Sequence, residues 1–405
     1  MTNDASRGLG CFTNDVQWSA GDRGHLVSES GVRVNTLEDV VTLNAVDGIG
    51  SVKLHRLLER FGSTEAVLAA SASELAQVEG VGPGVAERIT TVRQRFDAKA
   101  ELELAEANGI WVITVDDESY PVLLKQIHDP PIVLYVRGTL MPEDRYAVAI
   151  VGSRTATQYG LSVSEQLARQ LASRGVTVVS GMARGIDTAA HQGALSVTGR
   201  TLAVLGCGIQ GMDSRPQEEQ SSWISGSGAI LSEFPLTMPP LKQNFPRRNR
   251  LISGLSLGVV IVEAAKQSGA LITADCALEQ GREVFAVPGP VDVATSQGTN
   301  ALIKGGAKLV QTADDILEEL APHLKDGMGQ EPGGKGVSRR QVAAAPVNVP
   351  ESLRRVYDVL SEQPLHIDLI ASRSGASPGQ TSAILLQLEL QGLVKEAAGK
   401  RFRRA

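Results

Sequence analysis

The stretch AVAIVGSR, Ala147 to Arg154, reads as a short buried β-strand that ends in a turn of small residues. An apolar run of this length is too short for a helix and is typical of a strand covered on both faces. A helical pattern follows from about Tyr159 to Arg174. A strand, a glycine turn and a helix in succession predict an α/β domain with a parallel sheet.

The same order recurs further along the chain. Apolar runs that end in small or acidic residues, several of them followed by helical stretches, begin at Val176, Thr201, Gly228, Gly258 and Glu283. The repetition predicts a doubly wound parallel sheet. In such a sheet, ligands bind in the crevice outside the carboxyl ends of the strands, which is where these glycine turns fall.

A cationic stretch, LKQNFPRRNRLISGLSL, lies between two of these runs, from Leu241 to Leu257. Its first ten residues hold one lysine, three arginines, no acid and one aromatic residue, Phe245. A basic groove attracts phosphates through counterion release, and an aromatic face stacks on an unpaired base. The stretch therefore indicates a site for a polyanion with exposed bases. The alternative is a solvated loop whose arginines pair with nearby acids.

The turns at the predicted strand ends offer further groups for phosphates. Ser153, Ser180-Gly181, Gly185 and Ser268-Gly269 combine small side chains with backbone amides. Such turns favour several phosphates along one crevice. Arg154 directly follows the first turn, and its guanidinium can grip two phosphate oxygens, although an intradomain salt bridge is the alternative.

A dinucleotide is a competing ligand for this crevice. GCGIQG, Gly206 to Gly211, matches the GxGxxG pattern after a strand, and Glu233 lies at about the distance of a ribose-binding acid. The following MDSRPQEEQSSW has no apolar helical period, so the helix that should hold a pyrophosphate is predicted to be missing. We therefore expect no bound NAD.

No constellation of residues requires catalysis. Glu233, Glu263, Asp187 and Asp275 are accompanied by neither an HExxH nor a GxSxG motif, and the lone His191 is interpreted as a packed residue. The sequence predicts a binding protein without metal or cofactor. The competing hypothesis is a Rossmann-like nucleotide hydrolase or phosphoribohydrolase that uses Glu263 or Glu233 as its acid.

A small helical domain is predicted before the sheet. Residues 1–36 read as a flexible tail, and residues 37–108 show helical spacing interrupted by Gly48-Ile49-Gly50 and by Gly80 to Gly84. These turns resemble those of helix-hairpin-helix (SAM-like) units. Their amides can take a DNA phosphate, but glycine is equally needed to reverse the chain, and both explanations stay open.

The central domain is predicted to span residues 109–322, followed by a glycine- and proline-rich linker at 323–350. Residues 351–405 show three helical stretches, a short hairpin and the basic end GKRFRRA, which is the order of a winged helix. This unit could contact DNA or protein. A sequence-specific repressor of duplex DNA is the less favoured hypothesis for it.

The overall composition, with 42% hydrophobic and 21% charged residues, is that of a globular protein. No apolar run is long enough to span a membrane and the N-terminus lacks a secretion pattern, so we expect a cytoplasmic protein. Cys11, Cys207 and Cys276 are too few and too scattered for a disulfide framework. The net charge of -6 does not exclude a local basic site, because exposed charges are screened beyond about 10 Å.

Six separated motifs occur in a fixed order. They are GSR at 152–154, SGMARGIDTAAH at 180–191, AVLGCG at 203–208, LSEFP at 231–235, NFPRRNRLISGLS at 244–256 and SGALITADCALEQGREVFAVPG at 268–289. Together they resemble the DNA processing protein A (DprA/Smf) family, over about Ser119 to Leu320, and the flanking helical and winged-helix segments fit the same layout. Asp213-Ser214-Arg215-Pro216 departs from the family pattern, which has a tyrosine–proline pair there.

The resemblance implies a single-stranded DNA-binding protein of natural transformation with an extended Rossmann fold that forms homodimers. Proteins of this kind shield incoming strands from nucleases and help to load the RecA recombinase while displacing single-strand-binding protein. Arg154 is then expected to clamp a phosphate, Lys242 to lie on the same backbone path and Phe245 to contact a base. The candidate DNA-binding residues are Gly152, Ser153, Arg154, Ser180, Gly181, Lys242, Phe245, Arg247, Arg248, Asn249, Arg250, Ser268 and Gly269.

Overall fold

The computed structural model describes residues 36–212, 215–325, 351–360, 365–390, 393–397 and 401–404. The chain forms two compact units that divide between residues 329 and 330. The predicted tail at 1–36 and the predicted linker at 323–350 therefore lie almost entirely outside the described residues.

The first unit begins with a group of short helices. They are α1 (Leu37–Asn44), α2 (Ser51–Phe61), α3 (Thr64–Ala69), α4 (Ala72–Leu75), α5 (Pro83–Thr91) and α6 (Ala98–Ala107). Gly48 and Gly80 have positive φ angles and reverse the chain ahead of α2 and α5. The prediction of a helical region with two glycine hairpins is confirmed.

A nine-stranded sheet follows this region. Its strands are β1 (Ile110–Thr114), β2 (Val133–Gly138), β3 (Ala147–Val151), β4 (Thr177–Ser180), β5 (Thr201–Val204), β6 (Ala229–Ser232), β7 (Gly258–Ile261), β8 (Glu283–Ala286) and β9 (Lys308–Leu309). Their spatial order is β1-β2-β6-β5-β4-β3-β7-β8-β9. Seven neighbouring strands are parallel, namely β6, β5, β4, β3, β7, β8 and β9. Strand β2 pairs antiparallel with β1 on one side and with β6 on the other. The predicted parallel sheet is confirmed, with an antiparallel extension at one edge.

Helices cover both faces of the sheet. They are α7 (Val122–Lys125), α8 (Gln158–Ala172), α9 (Ile186–Leu195), α10 (Arg215–Ser227), α11 (Asn244–Gly254), α12 (Gly269–Glu279), α13 (Gln297–Lys304) and α14 (Ala313–Lys325). Val148 and Ile150 of β3 pack with Leu167 of α8 on one face, and Ala149 packs in the cluster of Leu251 of α11 on the other. Alternate residues of the strand thus serve opposite helix layers, as a doubly wound fold requires.

Helix α10 is a feature that the sequence pattern does not predict. It follows the GCGIQG turn in a polar stretch and packs beside β5 and β6, with Ile224 fully buried. The prediction that no helix follows this turn is therefore wrong. A helix in a protein is stabilised mainly by tertiary packing, and one buried anchor can replace a regular apolar period.

The helical region shares its core with the sheet. Leu57 of α2 and Ile89 of α5 belong to the same buried cluster as Tyr135 of β2, Ile230 of β6 and Leu236. The two parts of the first unit are therefore held together by a continuous hydrophobic core as well as by the polar contacts described below.

The second unit holds three helices and a small sheet. They are α15 (Glu351–Tyr357), β10 (Leu365–His366), α16 (Ile367–Ser374), α17 (Pro378–Leu390), β11 (Val394–Ala397) and β12 (Arg401–Arg404). The strands lie in the order β10-β12-β11, around a core that includes Val356, Ile370 and Leu388. The predicted winged helix is confirmed. Within the described parts of the chain, no helix has the length and apolar character that crossing a bilayer requires.

Candidate nucleic-acid interface

A cleft of about 450 Å³ opens at the carboxyl ends of β3, β4 and β5. These three strands are neighbours in the parallel sheet, so the turns that follow them meet at one place. The turns contribute Arg154, Gly181 and Gly206 to the lining, and the start of α11 contributes Phe245. A cleft is therefore present at the strand ends where the sequence predicts the crevice, and its use as a ligand site stays a prediction.

Phe245 and Arg154 form one wall of this cleft. The guanidinium carbon of Arg154 lies 4.7 Å from the centroid of the Phe245 ring, which is cation–π distance. The ring rests against the backbone of Gly206, where a Cβ atom would lie 3.0 Å from the ring atom Cδ1. The absence of a side chain at Gly206 thus lets an aromatic ring stand beside the strand end, and the half-buried ring remains part of the cleft surface.

Arg184 is a cationic residue of the cleft that the sequence reasoning missed. The turn that carries it packs tightly on the turn of Arg154, because the Ile186 N–H donates to the Ser153 carbonyl at 3.2 Å and a Cβ on Gly185 would lie 2.3 Å from that oxygen. Both arginines are exposed, and neither forms an ion pair with a described residue. The signal was available in the motif SGMARG, where an arginine stands in a strand-end turn as it does in GSR.

Arg248 lies beneath the cleft instead of pointing into solvent. Its side chain is buried, and its terminal Nη1 donates to the carbonyl oxygens of Gly181 and Val204, each at 2.7 Å. Its Nε donates to Asn249 Oδ1 at 3.2 Å, and the amide of the buried Asn249 donates to the Gly269 carbonyl at 3.1 Å. Arg248 therefore ties helix α11 to the ends of two strands. The prediction that Arg248 and Asn249 contact DNA stays a prediction.

Both backbone groups of Gly181, its N–H and its carbonyl, are hydrogen-bonded to charged side chains. Asp187 accepts the Gly181 N–H at 3.1 Å, while Arg248 binds the Gly181 carbonyl, and a Cβ on this glycine would lie 1.9 Å from the guanidinium. Burial raises the pKa of Asp187 and lowers that of Arg248, and the attraction between the two charges opposes both shifts. Ser180 donates its hydroxyl to the Ile150 carbonyl at 2.6 Å. The predicted lining groups of Ser180 and Gly181 are thus already bonded within the protein, and their contact with DNA stays a prediction.

The remaining predicted residues lie near the surface. Lys242 is exposed on the segment that leads into α11 and forms no ion pair with a described residue. Ser153 accepts the Thr155 N–H with its hydroxyl at 3.2 Å, and Ser268 caps α12 next to the exposed Gly269. A Cβ on Gly152 would lie 2.7 Å from the side chain of Ile186, so close packing of the turn requires glycine there.

Comparison with known proteins gives three matches along the chain. The family described as DNA recombination-mediator protein A matches residues 111–321, a DprA winged helix domain matches 341–400, and a SAM-like helix-hairpin-helix tandem matches 40–92. Protein Smf of Escherichia coli is 44% identical over 297 residues, which cover 73% of this chain and 78% of that protein. The chain belongs to the DprA/Smf family.

Further relatives extend the DprA/Smf match over nearly the whole chain. Protein Smf of Synechocystis is 35% identical over 383 residues, covering 89% of this chain and 96% of its own length. The X-ray structure of DNA processing protein A from Streptococcus pneumoniae superposes with a TM-score of 0.59 at 33% identity, over 70% of this chain and 98% of that one. The extended Rossmann-like fold and the family assignment predicted from the six motifs are confirmed.

Two arginines of α11 in this DprA/Smf protein pair with acids. Arg250 donates to the Asp129 carbonyl and forms an ion pair with Glu233, and Arg247 lies 3.6 Å from both Glu233 and Asp47. Burial raises the pKa of Glu233, and the charges of Arg250 and Arg247 oppose that shift. Arg247 and Arg250 therefore match the alternative interpretation of the basic stretch, in which its arginines pair with nearby acids. Contact of Arg247 and Arg250 with DNA stays a prediction.

The first glycine hairpin of the helical region is docked on the sheet domain. Asp129 accepts the backbone N–H of Ser51 at 3.1 Å and its hydroxyl at 2.9 Å, and thereby occupies the N-terminus of α2. A protein carboxylate thus stands where a phosphate would bind. An arginine from each half of the helical region also contacts the hairpin of the other half. Arg88 donates to the Asp47 carbonyl beside the first hairpin, and Arg56 donates to the Glu79 carbonyl beside the second.

The backbone amides that a dinucleotide would need, and the candidate catalytic side chains, are bonded within the protein. The backbone N–H groups of Gly208 and Gln210 donate to the Met238 and Leu236 carbonyls at 2.9 and 2.8 Å, so these GxGxxG amides are not available to a pyrophosphate. His191 is fully buried with Nδ1 2.7 Å from Thr201 Oγ1, and burial lowers its pKa to about 3. The interpretation of His191 as a packed residue is confirmed.

Glu263, the other candidate acid of a hydrolase, is buried at the start of α8. It accepts the Thr157 backbone N–H at 2.9 Å and also the Thr157 hydroxyl. A Cβ on Gly160 would lie 2.5 Å from its carboxyl carbon, so the helix approaches this carboxylate closely. Glu263 therefore binds the N-terminus of α8, as a capping carboxylate does.

Proposed function

We propose that this protein binds single-stranded DNA along the cleft and acts in natural transformation, where it protects the incoming strand and helps to load the RecA recombinase. The observation that carries the proposal is the aromatic wall of Phe245 with the exposed Arg154 and Arg184 beside it, neither of which forms an ion pair with a described residue. Exposed guanidinium groups suit phosphates, and a ring in a cleft suits a base that is not stacked in a duplex.

Arg154 covers one side of the Phe245 ring in the structure. We propose that a base takes this place when DNA binds and that the exposed Arg154 side chain moves onto the adjacent phosphate. Lys242, which precedes the ring by three residues, then lies on the same backbone path. A role in recombination agrees with the description of the matched family as recombination mediators. The contact with RecA, the displacement of single-strand-binding protein, the homodimer through the Rossmann-like domain and the cytoplasmic location follow from the family resemblance.

Nothing in the cleft favours the hydrolase over the binding protein. The two candidate acids, Glu233 and Glu263, are engaged by arginines and by the start of α8. Turnover of a nucleotide by the purified protein, abolished by Glu263→Gln without loss of folding, would contradict the proposal.

Substitution of Lys242 with alanine is expected to weaken binding of a fluorescent oligo-thymidine several-fold at about 0.1 M salt. One phosphate contact fewer should also lower the slope of log affinity against log salt by about 0.7. Fluorescence anisotropy over a salt series measures both. Lys99→Ala, which removes an exposed lysine of α6, is the matched control and should leave the slope unchanged. Equal slopes for Lys242→Ala and the wild type would remove Lys242 from the path.

Replacement of Phe245 with leucine tests the stacked base. We expect Phe245→Leu to cost about 1–3 kcal/mol of binding free energy with oligo-thymidine, because leucine keeps the apolar volume but offers no ring face. The same variant should bind a strand of abasic sugar-phosphates as the wild type does. An equal loss with both strands would mean that the ring only shapes the cleft.

A further inference from the structure

A second groove continues from the cleft along the surface of α8 and α9. Its volume is about 690 Å³, and it lies between the first two turns of α8 and the first two turns of α9. Arg154, Thr155 and Arg184 line both this groove and the cleft that contains Phe245. The two arginines therefore stand at a junction between two connected depressions.

The side chains of the second groove are mainly neutral and polar. Gln158 and Ser162 of α8 and Gln192 of α9 are exposed, and none of the three forms a side-chain hydrogen bond with a described residue. The acid in this lining, Glu165, is bound by Arg169 one turn further along α8. Amides and hydroxyls donate and accept hydrogen bonds without selecting a base, which suits sugars, phosphates and base edges of any sequence.

The groove is long enough for a continuation of the same strand. Gly185 and Gln192 are separated by seven residues, mostly helical, which corresponds to roughly 10 Å. At the rise of a stacked strand, about 3.4 Å per nucleotide, this length accommodates two to three nucleotides. A strand that leaves Phe245 past the two arginines enters this groove without a barrier of unpaired acids.

We infer that the groove between α8 and α9 is a second subsite for single-stranded DNA, which binds the two or three nucleotides beyond Arg154 and Arg184. This inference rests on the proposed function of the cleft. It predicts that the occupied site is longer than the cleft and that affinity rises with strand length until the groove is filled.

Charge substitutions at Gln192 test the subsite. Gln192→Glu places a negative charge in the groove, and we expect it to weaken binding of long oligo-thymidine by about three- to tenfold at low salt; Gln192→Lys should strengthen that binding by a similar factor. Neither variant should change the binding of the shortest strands, which fill only the cleft. Affinities are measured by anisotropy for oligo-thymidines of increasing length, from four to twelve or so nucleotides.

Gln166 provides the matched control, because it is an exposed glutamine of α8 outside the groove lining. Gln166→Glu and Gln166→Lys should reproduce any effect of net charge alone. Effects of Gln192 that match those of Gln166, or that are equal at every strand length, would overturn the subsite. If the Gln192 variants behave in this way while Arg154→Ala still weakens binding, the proposal that DNA binds in the cleft stands and the proposal of the subsite is wrong. If the wild type binds no strand of any length, the proposed function fails together with the subsite.

Discussion

Replacement of Arg248 with methionine is expected to lower the free energy of unfolding of the first unit by about 3–5 kcal/mol. The guanidinium is buried and satisfies the carbonyls of Gly181 and Val204. Methionine fills part of the same volume but leaves two buried carbonyls without this donor and the buried Asp187 without its cation. The loss should therefore exceed that of an ordinary surface substitution several-fold.

Tryptophan fluorescence in a urea titration measures this change in the full chain. Trp111 and Trp223 lie in β1 and α10 of the first unit, so a change in their signal reports on the unfolding of that unit. Arg247→Met is the matched control: this arginine is 43% exposed and lies 3.6 Å from its acids, and the buried Glu233 keeps its ion pair with Arg250, so the loss should be about 1 kcal/mol or less. An Arg248→Met protein as stable as Arg247→Met would contradict the role of Arg248 in binding α11 to the ends of two strands.

A second substitution separates the charge from the hydrogen bonds. In Asp187→Asn the buried carboxylate is gone but the amide oxygen can still accept the Gly181 N–H. The double variant of Arg248→Met and Asp187→Asn should lose less stability than the sum of the single variants, because no uncompensated buried charge remains. Additive losses would assign the whole effect of Arg248 to its hydrogen bonds with the carbonyls.

The sequence predicts those parts of the fold that have a local signature. The strand in AVAIVGSR and the helix after it are short-range patterns of apolar residues, and the structure contains both as β3 and α8. Helix α10 lacks such a signature, since its place is determined by the burial of Ile224 against strands elsewhere in the chain. A local pattern cannot report a stabilising contact that is made by distant residues.

The four cations of the basic stretch illustrate the same limit within the site. Lys242, Arg247, Arg248 and Arg250 look alike in sequence, yet Lys242 is exposed, Arg248 is buried, and the remaining two pair with Glu233. The partners of Arg248 lie 67 and 44 residues away, at the ends of two strands. The position of the cleft is therefore predictable from the strand-end turns, whereas the environment of each arginine depends on the sheet order.

The helical region adds a constraint on the site that the sequence leaves open. Its glycine hairpins left DNA contact open, but Asp129 occupies the N-terminus of α2. The side-chain amide of Asn44, at the end of α1, donates to the backbone carbonyl of Glu233 at 3.0 Å. The same acid binds Arg250 and approaches Arg247 on α11. Asn44 and Asp47 of the helical region thus contact Glu233 and Arg247, and these contacts connect the region to the helix that carries Phe245.

Removal of both junction arginines, in Arg154→Ala/Arg184→Ala, is expected to produce the largest loss of DNA binding. A hydrogen bond to a charged group contributes about 1.5–3 kcal/mol, so loss of two such contacts should weaken single-strand binding by roughly 100-fold or more. The salt slope should fall by about 1.4, twice the value for one phosphate contact. Both side chains are exposed, so the urea midpoint should stay close to that of the wild type.

Two comparisons make this result specific to the junction. Arg145→Ala/Arg174→Ala removes the same charge from the turns that precede β3 and β4. These turns lie at the amino ends of the strands, opposite the cleft, so DNA affinity should stay nearly unchanged. Arg154→Lys/Arg184→Lys keeps both charges but loses the forked geometry, so the salt slope should persist while part of the affinity is lost. If removal of the control pair at the amino ends weakens binding as much as removal of the junction pair, DNA is attracted by the overall field of the protein. A specific effect of the junction pair means that phosphates are held where Arg154 and Arg184 meet, next to the ring of Phe245.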